Sequence, residues 1–140
     1  MNNYLKPEVG ALILRVALGI VLIAHSLYLK MVVFTLPGTA AFFDSIGLPA
    51  LLAYAVVAIE AVAGVALILG FKTRWFAALV IPVLLGATWA HWGSGWLFSN
   101  EGGGWEYPLF LTVTAIVQVF LGDGSYALKT TRVELKPHRA

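Results

Sequence analysis

The side chains able to do chemistry are scattered singly through a very apolar chain. His25, His91 and Glu106 are two imidazoles and a carboxylate, groups that hand protons on near neutral pH or, if brought together, ligate a metal. Each stands in a different apolar run, so no local motif specifies a metal and none is expected. Proton exchange with a quinone suits them better, with His25, His91, Trp92 and Trp105 as the expected contacts of its ring. A plainer reading of the same positions is an interfacial aromatic belt with histidines at the ends of membrane spans. A second set, Arg15 and Glu60, places opposite charges inside apolar runs, where lipid tolerates them only when they are satisfied. The two are expected to form a structural ion pair. The alternative is that Arg15 snorkels to the membrane surface while Glu60 stays protonated.

These residues must be positioned by membrane helices. Of the 140 residues, 60% are hydrophobic and 11% charged, and the mean hydropathy is +0.87. A soluble domain of this size could not hide that much apolar surface. Four apolar runs, about residues 9–33, 49–69, 75–92 and 105–121, are expected to form an all-α, four-helix transmembrane bundle. Together they make one membrane domain, residues 1–128, followed by a basic tail, residues 129–140. Pro37 and Gly38 break the first run, and Phe42, Phe43 and Ile46 suggest a short interfacial helix before Pro49 opens the second. Pro82 is expected to kink the third, and Gln118 is a lone amide suited to an interhelical hydrogen bond. Gly19 lies one turn beyond Arg15 and Gly64 one turn beyond Glu60, so the first two spans should pack closely there.

Charge and cysteine content narrow the function further. The net charge of +2 and the dispersed basic residues argue against nucleic-acid binding. The chain has no cysteine, which excludes disulfides, covalent haem attachment through thiols and Cys-ligated iron–sulfur clusters. Four spans place Lys6, Lys72, Arg74, Lys129, Arg132, Lys136 and Arg139 on one side of the membrane, and only Lys30 near a span end on the other. Positive residues mark the cytoplasmic side, so both termini are expected there, in a multi-pass protein of the bacterial cytoplasmic membrane.

The order Leu14-Arg15-Val16-Ala17-Leu18-Gly19 with His25, Gly47-Leu48-Pro49, Glu60 with Gly64, Leu67-Ile68-Leu69-Gly70, Thr73-Arg74, His91 and Gly103-Gly104-Trp105-Glu106-Tyr107-Pro108 resembles the DoxX family of small bacterial membrane proteins. The resemblance runs from about Ala11 to Leu128. It implies four membrane helices, with Arg15, His25, Glu60, His91 and Glu106 at the family's recurrent polar positions. The family takes its name from subunits of a thiosulfate:quinone oxidoreductase, and other members are linked to redox or oxidative-stress systems. The resemblance thus implies a redox-linked subunit that interacts with quinone, although no motif here specifies thiosulfate. Two other functions stay open: a non-catalytic accessory or scaffold subunit packed in a larger membrane complex, and transport of a small solute or proton through a homo-oligomer. The expected partners are the bilayer and either other subunits or further copies of the chain.

Overall fold

The computed structural model describes residues 6–128, and the expected basic tail lies outside the described residues. Helix α1, Pro7–Ile23, starts with proline in its first turn, where a missing N–H costs nothing, and Glu8 faces the positive end of the helix dipole. It continues without interruption as a π-helix, Ala24–Val33. Thr35, at φ 63°, stops this long element, and its side chain accepts the Gly38 N–H at 3.2 Å to cap α2, Leu36–Ser45.

Helix α3, Leu51–Leu69, ends in a Schellman turn: Gly70 is left-handed, Phe71 N–H donates to Ala66 O and Gly70 N–H to Leu67 O. Helix α4, Thr73–Ala90, carries Pro82 inside, and α5 is Glu106–Leu121. Three stretches, Pro7–Val33, Leu51–Leu69 and Thr73–Ala90, are long and apolar enough to cross a membrane. The fourth helix, α5, is apolar and shorter, at 16 residues or roughly 24 Å.

The described residues contain no strand, and the architecture is a four-helix bundle with α2 lying against α3 and the π-helical segment. The main packing pairs are α1 with α3 and α4 with α5, joined through α3 against α4. Leu18, Leu22, Leu67, Val80, Leu84 and Leu111 fill the centre, with alanines between them. Since lipid is as apolar as leucine, close approach of backbones must hold such a bundle together. Gly19 and Gly64 supply it: a Cβ on Gly19 would lie 2.7 Å from Gly64 O, and one on Gly64 2.9 Å from Gly19 O.

Candidate functional site

The chain's charges fall into layers along the bundle. At the end where α1 begins, Arg15 is 1% exposed and spends all five of its N–H donors on backbone carbonyls. Nε donates to Asp123 O at 2.8 Å, Nη1 to Leu67 O and Ile68 O at 2.8 and 2.5 Å, and Nη2 to Ser125 O and Tyr126 O at 2.9 and 3.2 Å. Leu67 and Ile68 belong to the last turn of α3, whose carbonyls carry the negative end of the dipole. Asp123 adds a cap to α4 by accepting the Thr73 N–H at 3.0 Å.

Glu60, 4% exposed, pairs with Lys30 and not with Arg15: Lys30 Nζ lies 2.6 Å from Oε1 and 2.5 Å from Oε2. The expected Arg15–Glu60 pair is therefore corrected, and the reason is directional. A helical side chain leans toward the N-terminus of its own helix. Because α1 and α3 run antiparallel, Arg15 leans toward the first layer while Glu60 leans away from it. Lys30, farther along the same continuous element, leans back toward Glu60. Neither charge snorkels, and both are satisfied by different partners.

The third layer lies at the opposite end and is aromatic. An open groove of about 440 Å3 is lined by Trp96, Phe98, Glu106, Tyr107, Phe110 and Val113, with Leu109. That volume is within the roughly 300–1,000 Å3 of small-molecule sites. His25 stacks on Tyr107 with ring centroids 5.8 Å apart and an interplanar angle of 29°. Trp105 stacks on Trp92 at 4.7 Å and meets Trp96 edge-on at 4.5 Å. Glu106 Oε1 accepts the Phe98 N–H at 3.0 Å.

Of the expected quinone contacts His25, His91, Trp92 and Trp105, none lines this groove. His25 reaches it through Tyr107 and Trp105 through Trp96, whereas the edge of the His91 ring lies against Gly103. Both imidazoles place Nδ1 within 2.9 Å of the carbonyl four residues earlier, Val21 O for His25 and Ala87 O for His91. A carbonyl only accepts, so the Nδ1 proton is held there and Nε2 is the basic nitrogen. Among the described residues, no group of three His, Cys, Asp or Glu side chains is close enough to hold a metal ion. The residues that sequence reasoning missed are Lys30, Tyr107 and Asp123. The lean of helical side chains would have singled out Lys30, and Tyr107 lies beside Glu106 in the quoted motif.

A helical bundle with buried, satisfied charges and an aromatic groove at one end defines a small integral membrane protein. The chain belongs to the DoxX family, whose profile matches residues 10–92. It is also 41% identical over 80 residues to a Bacillus subtilis (strain 168) protein named "Putative oxidoreductase CatD". That match covers 57% of this chain and 58% of the relative, so the chain spans well under two thirds of the relative's length. No solved structure matches significantly.

Proposed function

We propose that this chain is a redox-linked membrane subunit that receives a quinone in the groove beside α5. The observation that carries this reading is the groove itself: aromatic and aliphatic walls, Tyr107 and Glu106 as its polar groups, and His25 stacked behind Tyr107. Phe98 and Phe110 are 70% and 65% exposed, so the groove opens on the outside of the bundle, where a lipid-soluble ring can enter directly from the bilayer. The oxidoreductase name of the Bacillus relative points the same way.

A bound quinone would supply a two-electron, two-proton redox change, with electrons exchanged with a partner or directly with a substrate. The chain's own residues bind and orient the ring and handle protons. Trp96, Phe98 and Phe110 offer flat and apolar surface, and the Tyr107 hydroxyl can donate a hydrogen bond to a quinone carbonyl. His25, with its proton fixed on Nδ1, keeps Nε2 as a base behind Tyr107. His91 holds the same tautomer beside the glycine-rich loop and serves as a second proton carrier. The setting is the bacterial cytoplasmic membrane, with the Arg15 end of the bundle toward the cytoplasm, because Lys6, Lys72 and Arg74 all lie at that end.

The test is direct. Protein purified in mild detergent is extracted and its lipids analysed for quinone, and a short-chain quinone is titrated while tryptophan fluorescence is followed. Quenching through Trp96 and Trp105 is expected, with affinity reduced about tenfold by Tyr107→Leu, a loss of about 1.4 kcal/mol in line with one hydrogen bond and its stacking. Absence of co-purified quinone together with no saturable quenching would remove the reading.

A further inference from the structure

Glu106 has the chemistry of a proton carrier, yet its carboxylate is engaged in a structural contact: Oε1 accepts the backbone N–H of Phe98 at 3.0 Å, eight residues back along the chain. We infer that Glu106 is a positioning residue, a hydrogen-bond acceptor that pins the loop of residues 95–105 beside the groove and holds Trp96 and Phe98 as its wall. This rests on the reading of the groove as the quinone site.

The loop is stitched to the start of α5 by successive contacts. Trp105 N–H donates to Gly95 O at 3.1 Å and Glu106 N–H to Trp96 O at 3.2 Å, which closes the base of the loop. Among the described residues, the Glu106 side chain alone extends this stitching as far as Phe98, a residue 70% exposed and so with little packing to hold it. The chain also doubles back tightly: a Cβ on Gly104 would overlap the carbonyl group of Leu97, so only glycine fits. Trp96, Phe98 and Glu106 all line the groove, and Trp96 meets Trp105 edge-on, so displacement of this loop would open one side of the groove and separate that tryptophan pair.

An acceptor role and a proton-carrying role are separable because an amide oxygen accepts an N–H as a carboxylate does but does not titrate. Glu106→Gln should therefore retain the near-ultraviolet circular dichroism of the coupled tryptophans, because its amide oxygen takes the Phe98 N–H in place of the carboxylate. Glu106→Ala should lose that dichroism and weaken quinone binding by about tenfold. Gly104→Ala, which leaves Glu106 intact, should reproduce the spectral loss by forcing Leu97 away. Melting temperature in the same detergent reports whether each variant is folded, and Glu106→Leu, which also cannot accept the Phe98 N–H, decides the matter if Glu106→Ala is not. Loss of the spectrum in folded Glu106→Gln, or its retention in a folded variant that lacks the acceptor, overturns the inference. If the wild-type protein binds no quinone, the functional reading fails alone, because the dichroism of the ligand-free variants still decides the anchor.

Discussion

At the scale of single residues, burial by lipid makes partner choice a matter of direction as much as distance. Lys30 and Glu60 lean toward each other, and Arg15 leans into carbonyls at the end of α3. Breaking a buried ion pair leaves a charge without compensation, whereas removing both partners is far better tolerated. Lys30→Met should therefore lower stability by about 3 kcal/mol, and Lys30→Met with Glu60→Leu should recover most of the loss. The same cycle with Arg15→Met and Glu60→Leu should be additive, as for sites that share no partner. Denaturant titration in detergent micelles checks both cycles, and a coupling energy confined to Arg15 and Glu60 would contradict the geometry. The need for partners was legible from the sequence, because Arg15 and Glu60 stand inside apolar runs. Their identity was not, because depth estimates treat side chains as points at their Cα atoms. Lys30 then reads as a span-end lysine, and five backbone carbonyls leave no trace in residue types.

Between elements, α1 and α3 approach closely at their crossing, where each glycine lies against the other's carbonyl. Ile23, the last residue of α1, also abuts Gly64, immediately before the winding changes to π. Larger residues at such a crossing force the helices apart, and overpacking of this kind costs roughly 1–3 kcal/mol. Gly19→Leu and Gly64→Leu should each destabilise by at least that amount, while Gly86→Ala, where an added Cβ meets open space, should have little effect. Thermal melts of the three variants rank them. The crossing could be read from the spacing of Gly19 and Gly64 to the buried charges. The π winding could not: hydrophobic periodicity over residues 24–33 does not distinguish it from a continued α-helix. Its end is marked by the left-handed Thr35 and by the Thr39 hydroxyl, which lies 3.0 Å from Lys30 O and 2.9 Å from Thr35 O. π segments gather at functional positions, and this one carries both His25 and Lys30, linking the groove to the buried ion pair.

Over the whole molecule, the two ends are built differently. At the Arg15 end, Ser125 N–H donates to Glu8 O and Leu128 N–H to Leu69 O, so the segment after α5 is strapped across the starts of α1 and the end of α3. Gly124 fits against Glu8 O and Leu12 N with no room for a Cβ, and Gly70 against Ala127 likewise. Lys6, Lys72 and Arg74 lie at this same end, before α1 and at the α3–α4 connection. The connections at the other end, residues 34–50 and 91–105, hold Asp44 and Glu101 and no Lys or Arg. An asymmetry of this kind sets orientation during insertion, because short basic loops stay on the cytoplasmic side. The natural absence of cysteine makes the orientation measurable with single-cysteine variants in an otherwise unreactive chain. Glu101→Cys should react with a membrane-impermeant maleimide in intact cells after removal of any outer barrier, and Lys6→Cys only after the cytoplasmic membrane is opened. The reverse pattern would place the groove on the cytoplasmic side, and the proposed quinone chemistry would then exchange its protons with the cell interior.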